Sequence, residues 1–358
     1  MMVYLLLAAG LFMGWSLGSN DACTFGTAVA TRVVKYRTAV IIISICVVAG
    51  AFVGGSNNIG KLAELATSNG VIASVDTVKN AVESGSDMLL IQLKSALKAA
   101  IIFACAGLTV FGINFFKLPV SSNQAITGAI IGWGLFYADY SNPEILTSNI
   151  KQIAVFVSTW LLNPLSAGII SFILVSTVGR FLEKRLSTLG SYDVLIKTGY
   201  VIAIILGSLS IGINSSANVT ALYFDHAYEE TGVAANLLTS PVLTAGIGGI
   251  AIAIGVLTYS KKVMMTVGGS IANITQMDGF LVIISMALTV VLMGQVLGIP
   301  VSNTQATVGA VLGAGITRGV KQVNFGVLKS IGLAWIGSPT IAGVLAYAVA
   351  FLTQGFFR

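Results

Sequence analysis

A seventeen-residue segment occurs twice in this chain and limits the folds that are open to it. Residues 118–134 read LPVSSNQAITGAIIGWG and residues 299–315 read IPVSNTQATVGAVLGAG, and nine of the seventeen aligned positions are identical. In each copy a helix-breaking proline, Pro119 or Pro300, is followed by four polar residues and then by an apolar stretch with spaced glycines. The pattern predicts two half-helices that begin at polar N-termini.

Composition places these half-helices inside a membrane. Hydrophobic residues make up 56% of the chain and charged residues only 9%. Apolar runs of about 20 residues, long enough to cross a bilayer as helix, recur throughout. A helix break in a bilayer is tolerated only where it lines a cavity or is buried in protein. We therefore predict an all-α, polytopic membrane protein with an internal binding site. The alternative is two ordinary membrane helices that each begin with an N-capping serine.

A second pair of breaks matches in the same order. The apolar run at residues 3–31 is interrupted by residues 18–21 (GSND), and the run at 198–224 is interrupted by residues 212–218 (GINSSAN). Asp21 lies well inside its apolar run, where a carboxylate costs roughly 3 kcal/mol or more and marks a candidate functional site. The shared order of the two marks indicates an internal duplication.

The distribution of charge predicts how the two copies are oriented. We expect a single transmembrane domain over residues 1–358, built from one repeat at 1–179 and a second at 198–358, each with a broken first helix and a PVS helical hairpin. If each half makes an odd number of crossings, 13 of the 19 Lys and Arg residues share one side of the membrane. The repeats are then inverted relative to each other. The parity is the same whether residues 96–137 make two crossings or one hairpin that dips in from outside.

Several other function classes find no support in the sequence. The basic residues are scattered and do not form the patch of a nucleic-acid-binding protein. His226 is the only histidine and the three cysteines lack metal-ligand spacing, so a histidine metal site or a Ser-His-Asp triad is excluded. We do not expect the protein to be an enzyme. Asp225 and Asp278 are interpreted as charged residues in loops. Residues 56–95 are interpreted as an external loop with a short amphipathic helix. A channel lined by the same half-helices is an alternative to a carrier.

The motifs together resemble a known family. GSNDA followed by FGTAV, GINSSANV, and the paired PVSSNQ and PVSNTQATVGAVLGAG resemble the duplicated signature of the inorganic phosphate transporter (PiT) family. The resemblance implies a secondary active transporter of the cell (inner) membrane that imports inorganic phosphate with sodium, by alternating access around a midplane site. Some relatives carry sulfate, so the alternative is a sulfate permease of the same fold, coupled either to protons or to sodium.

Three features depart from the family pattern. The second asparagine of the first motif is missing, and Thr24 stands nearest to its place. Ser215 stands where the second motif has aspartate, and Gln124 and Gln305 stand where many members have histidine. One membrane carboxylate is left where many members have two. The departures therefore bear on the number of coupled cations more than on the anion site.

The chemistry of the polar residues suggests two kinds of ligand. Half-helix N-termini present free N–H groups and the positive end of the helix dipole to an anion, and nearby hydroxyls and amides donate to its oxygens. The residues expected to bind phosphate are Ser121, Ser122, Asn123, Gln124, Thr127, Ser302, Asn303, Thr304, Gln305 and Thr307. Carboxylate, amide and hydroxyl oxygens suit a small hard cation. The residues expected to bind sodium are Asn20, Asp21, Thr24, Asn214, Ser215 and Asn218, with Asp21 and the three asparagines as the direct ligands.

Sodium is preferred to a proton as the coupling ion. A proton would neutralise only Asp21 and would leave the charge of the anion in place, whereas bound sodium offsets it. Sodium is then a co-substrate, and no other cofactor is expected. The expected partners are inorganic phosphate, sodium and the lipid bilayer, without nucleic acid. A homodimer is left open.

Overall fold

The computed structural model describes residues 2–73, 88–137, 143–185, 188–222, 240–297, 299 and 301–357. Within these ranges the chain is helical, and extended pairing is limited to one isolated bridge between Ala272 and Val323. Seven of the described helices are long and apolar enough to cross a membrane. The chain is therefore an all-α, multi-pass membrane protein, as predicted. The predictions for Pro300, Asp225 and His226 lie outside the described residues.

The helices follow the duplicated pattern of the sequence. In chain order they are α1 (Met2–Asp21), α2 (Gly26–Ala30), α3 (Tyr36–Gly54), α4 (Ile59–Ser68), α5 (Met88–Phe115), α6 (Ser122–Tyr137), α7 (Pro143–Leu174), α8 (Arg180–Arg185), α9 (Leu189–Ser215), α10 (Ala217–Thr220), α11 (Pro241–Tyr259), α12 (Lys261–Gly269), α13 (Gln276–Thr289), α14 (Asn303–Thr317) and α15 (Phe325–Phe357). α5 begins at Met88, so the external loop predicted for residues 56–95 was too long at its end. The amphipathic helix predicted inside it is α4.

Both predicted broken helices are present. α1 ends at Asp21 and is followed by a 3₁₀ turn, Ala22–Phe25, before α2. α9 ends at Ser215, and α10 follows after one residue. The first break begins at the end of GSND and not at Gly18, because that glycine serves packing. A methyl group on Gly18 would overlap the backbone carbonyl of Ile252 in α11.

Each half also contains a helical hairpin. In the first hairpin, residues 116–121 connect α5 to α6. In the second hairpin, α13 continues into a π-helical turn at Val290–Val296, and α14 follows from Asn303. The Lys98 ammonium lies 6.0 Å from the centre of the Tyr137 ring, which places the middle of α5 beside the end of α6. α6 has 16 residues and α14 has 15. Helices of about 24 Å are shorter than the roughly 30 Å hydrocarbon core. α6 and α14 are therefore too short to cross the hydrocarbon core by themselves, whereas α5, with 28 residues, is long enough.

The second helix of each hairpin packs against the last long helix of the other half. A methyl group on Gly128 of α6 would overlap the carbonyl oxygen of Pro339 in α15, and one on Gly309 of α14 would overlap that of Pro164 in α7. The contact is repeated one turn later by Gly132 on Gly343 and by Gly313 on Gly168. Backbone touches backbone at both crossings, so these glycines allow close helix packing. The two halves are thereby interlocked.

The directions of the central helices follow from their contacts. Ser44 of α3 donates to the Ala253 carbonyl of α11 at 3.3 Å, and Ala51 faces Gly249. α3 and α11 are therefore antiparallel. α1 lies parallel to α11, because Gly14 faces Ala251 and the later residue Trp15 bonds to Thr258. α9 lies parallel to α3, because Gly50 faces Leu209 and Gly54 faces Ile213. It follows that α1 and α9 run in opposite directions.

Asp278 is a buried structural carboxylate, and its interpretation as a loop charge was wrong. It is 0% exposed and closes a capping box with Thr275 at the start of α13. Arg318, just after α14, lies 2.8 Å from Asp278 and 2.8 Å from Glu183 of α8. The bonds to Asp278 raise the pKa of Arg318, so that cation stays charged. The pair joins the two ends of the second hairpin at its base.

Candidate functional site

Asp21 lies at the centre of a buried polar cluster. Its side chain is at the end of α1 and is 2% exposed. Oδ1 accepts hydrogen bonds from Asn20 Nδ2 and Thr304 Oγ1, both at 3.1 Å. Oδ2 accepts from Ser215 Oγ at 2.9 Å and from Asn303 Nδ2 at 2.8 Å. The four donors are neutral and come from both broken helices and from the second hairpin. The carboxylate thus joins segments of both halves without a basic side chain among them.

Two asparagines in equivalent positions hold the hairpin tips. Asn20 Nδ2 donates to the Val120 carbonyl at 2.6 Å, and its Oδ1 accepts from the Val120 N–H at 2.9 Å. Asn214 Nδ2 donates to the Val301 carbonyl at 3.1 Å and to Asn303 Oδ1 at 3.2 Å. Each asparagine precedes its helix break by one residue, and each valine precedes the capping serine of its hairpin helix. The side chains thereby satisfy backbone groups that the unwound tips leave without helical partners.

The two tips also touch each other and the break residues. Asn123 of the first tip donates to the Val301 carbonyl of the second, and Asn218 donates to the Asn123 side-chain oxygen. Thr24 and Thr307 share a hydrogen bond of 2.8 Å between their hydroxyls. Asn123 is partly exposed, whereas both threonines are fully buried. All six residues predicted to bind sodium are brought together with members of both tips.

The serines at the tips cap the hairpin helices. Ser121 Oγ accepts from the Gln124 N–H at 3.3 Å, and Ser302 Oγ accepts from the Gln305 N–H at 3.4 Å. Both serines therefore act as N-caps, and their assignment to phosphate stays a prediction. Capping does not account for the neighbouring Asn303 and Thr304, whose side chains reach Asp21. Ser122 and Thr127 are buried in α6, each 3% exposed.

The two glutamines of the tips lie on another face of their helices. Gln124 precedes Gly128 by four residues and so shares the face that packs on α15, where Ser338 Oγ donates to Gln124 Oε1 at 3.4 Å. Gln305 precedes Gly309 in the same way and faces α7. The structure does not bring either glutamine to Asp21. Their assignment to phosphate stays a prediction, which this placement does not favour.

Asn163 of α7 is a buried polar residue at the second tip that the sequence reasoning missed. It is 0% exposed, and its Nδ2 donates to the Ser302 carbonyl at 2.8 Å. A signal existed, because residues 160–168 read WLLNPLSAG and residues 335–343 read WIGSPTIAG. This is a third duplicated segment, in which Ser338 corresponds to Asn163.

The donor set fits a small hard cation better than a transition metal. Within the described ranges, no three His, Cys, Asp or Glu side chains come together in a group that could hold a metal ion. The cluster contains one carboxylate together with hydroxyl and amide side chains, and the oxygens of such groups are hard ligands.

Comparisons with known proteins agree with this architecture. Residues 17–346 match the profile described as "Phosphate transporter family". The chain is 30% identical to a provisionally named phosphate permease of Pyrococcus furiosus, over 94% of this chain and 92% of that protein. It is 29% identical to one of Pyrococcus abyssi, over 96% and 95%. A solved structure, "The sodium-dependent phosphate transporter", has a TM-score of 0.73 and 24% identity and covers 99% of both chains. At that identity the likeness supports the fold.

Proposed function

Because the chain belongs to the phosphate transporter family, we propose that it is a secondary active transporter that imports inorganic phosphate together with sodium. The observation that carries this proposal is the buried Asp21 carboxylate, held by neutral donors where both broken helices and the second hairpin meet. Membership of a transporter family also sets the chain apart from enzymes. We propose the cell (inner) membrane as its location.

The starts of α6 and α14 are the proposed anion-binding elements. Both helices begin at the buried tips, where their first N–H groups and the positive end of each helix dipole favour a negative charge. Asn123, Asn303 and Thr304 supply side-chain donors close to these N-termini. The side chains that bond to Asp21 are all neutral, so the charge of a bound phosphate needs another source of compensation. Co-bound sodium is the proposed source.

The proposed cation ligands surround Asp21. Asp21 offers two carboxylate oxygens and Ser215 a hydroxyl oxygen bonded to them, and Asn20, Asn214 and Asn218 place their side-chain amides in the same cluster. The two carboxylate oxygens accept hydrogen bonds from Asn20, Ser215, Asn303 and Thr304. Sodium binding would replace some of these bonds with direct ligation and would neutralise the carboxylate. A proton could neutralise Asp21 alone, which is why sodium coupling is preferred.

Alternating access is proposed because the directions of the central helices fit an inverted pair of halves. The opposite directions of α1 and α9, and of α3 and α11, are what inverted repeats at 1–179 and 198–358 require. The equivalent bonds of Asn20 and Asn214 to the two tips give the same relation at the site. In inverted-repeat carriers the two halves can exchange their conformations around a fixed central site. The site would then open to one side of the membrane at a time.

Uptake of labelled phosphate into proteoliposomes tests the proposal. An inward sodium gradient should drive saturable uptake, and a proton gradient imposed alone should not. Sulfate should compete weakly. Near neutral pH phosphate carries a proton that it can donate to Asp21 in a hydrogen bond, whereas sulfate carries none. Uptake driven by protons and blocked by sulfate would instead identify the sulfate permease. Single-channel currents in planar bilayers would identify a pore.

A further inference from the structure

The third duplicated segment places a polar residue directly before a proline in α7 and again in α15. Asn163 precedes Pro164 in α7, and Ser338 precedes Pro339 in α15. Both polar side chains are 0% exposed. The two prolines are the residues on which the hairpin glycines pack, so each polar residue lies one position from a backbone-to-backbone crossing. A buried polar residue repeated at both crossings calls for a reason beyond packing, since polar burial costs free energy unless hydrogen bonds compensate it.

Both residues use their hydrogen bond to reach the first turn of a hairpin helix. Asn163 Nδ2 donates to the carbonyl of Ser302, the N-cap of α14, at 2.8 Å. Ser338 Oγ lies 3.4 Å from Oε1 of Gln124, a first-turn residue of α6, and 3.3 Å from the Trp335 carbonyl of its own helix, so its single hydrogen is shared between two acceptors. The side chain of a helical residue leans toward the N-terminus of its own helix, which brings each donor back from the proline to the level of the tip. Each contact crosses from one half of the chain to the other.

The bond from Asn163 goes to a backbone carbonyl that already accepts a hydrogen bond within α14. The Ser302 carbonyl also accepts from the Ala306 N–H at 3.0 Å, which is the first hydrogen bond of α14. Asn163 occupies its second acceptor position and so ties the start of α14 to α7. The next two residues along the chain, Asn303 and Thr304, bond to Asp21. A rotation of the first turn of α14 would therefore move donors that define the central cluster.

We propose that Asn163 and Ser338 are positioning residues of the transport site, each orienting the first turn of the hairpin helix that the opposite half supplies. This inference rests on the proposed function for its kinetic consequence. Neither residue touches Asp21, so both act through the tips. In the described part of the chain Gln305, the counterpart of Gln124, has no hydrogen-bond partner for its side chain. Asn163 makes its contact with a backbone carbonyl, that of Ser302, and not with the glutamine side chain. Asn163 is therefore the stronger test of the positioning role.

Asn163→Leu in the reconstituted full-length protein removes the donor at nearly constant volume. A net hydrogen bond contributes about 0.5–1.5 kcal/mol, so we expect the KM for phosphate to rise about twofold to twelvefold. The maximal rate per reconstituted protein should change little, because the central ligands are still present. Asn163→Ser keeps a donor of the kind that the other half uses and should restore most of the affinity. Ser166→Ala is the matched control, since Ser166 lies on the same helix and, among the residues that the structure describes, bonds only to the Leu162 carbonyl.

Hydrogen exchange separates this inference from the proposed function. In Asn163→Leu, faster amide exchange should be confined to residues 301–306, with the rest of the described chain protected as in the wild type. An unchanged KM together with unchanged exchange at the tip would overturn the positioning role, and so would a lower melting temperature with the same KM. If the wild type fails to take up phosphate, the proposed function fails, and the exchange data still decide whether Asn163 orients the tip.

Discussion

The substitution Asp21→Asn turns one carboxylate oxygen into an NH2 group with almost no change in size. Each oxygen of Asp21 accepts from one hydroxyl and one amide, and a hydroxyl can turn to accept instead. The amides are less free, because the Oδ1 of Asn303 accepts from Asn214 and the Oδ1 of Asn20 accepts from Val120. Whichever way the new side chain is turned, its NH2 group faces a fixed amide donor. At least one hydrogen bond to a charged group is lost.

The magnitude follows from that loss. Hydrogen bonds to charged groups contribute roughly 1.5–3 kcal/mol, which corresponds to about a tenfold to hundredfold weaker ligand affinity. The charge that would bind sodium is removed as well, so we expect sodium-dependent phosphate uptake to be abolished. The protein should remain folded, because removal of a buried charge also removes its desolvation cost. The side chain exposes only 2% of its surface, so solvent cannot restore the lost bond.

The assay is labelled phosphate uptake in proteoliposomes over a range of sodium concentrations, with a melting curve for each variant. Asp193→Asn is the matched control, since its carboxylate is exposed and pairs with Lys197 at 2.6 Å on the surface. A surface pair of this kind contributes about 0–1 kcal/mol, so the control should transport as the wild type does. Normal sodium-dependent uptake by Asp21→Asn would refute the assignment of the central carboxylate.

Three further predictions concern packing, the hairpin base and the central donors. Gly128→Ala would force a methyl group into the backbone of α15 and should cost about 1–3 kcal/mol by overpacking, seen as a lower melting temperature; Gly112→Ala, with open space beside it, should leave stability unchanged. Arg318→Ala would leave the buried Asp278 without its cation and should destabilise the protein by about 2 kcal/mol, less than a fully buried pair because Arg318 is partly exposed; an unchanged melting curve would contradict this. Ser215→Ala removes one donor from the central carboxylate and should shift the sodium dependence by about tenfold, while uptake identical to the wild type would assign Ser215 to packing.

The location of the site could be predicted from the sequence because helix breaks are recorded locally. A polar run inside an apolar segment has few solutions in a bilayer, and each of the four breaks in the sequence leads to the same buried cluster. Asn20, Asp21 and Thr304 therefore come together from segments that are about 280 residues apart in the chain. The order of the two marks in each half was enough to expect a duplicated architecture.

The direction of individual side chains was harder to predict. Gln124 and Gln305 were grouped with their neighbours, although each precedes by four residues a glycine that packs on the opposite half. Residues four apart share a helix face, so this spacing already favoured a direction toward α7 or α15. Asp278 was misread for another reason. Its capping box with Thr275 is local, but its cation, Arg318, is 40 residues away and is brought near only by closure of the hairpin.

The crossed packing of the hairpin helices has a consequence for biosynthesis. Gly128 lies on Pro339, a residue made 211 positions later in the chain. At translation rates of about 5–20 residues per second, roughly 10–40 s separate the synthesis of these two residues. During that interval the glycine face of α6 must be covered by lipid or by temporary neighbours. The first hairpin is therefore inserted well before it can reach its final seat, and defects in the last helix should appear as misassembly of a segment near the beginning of the protein.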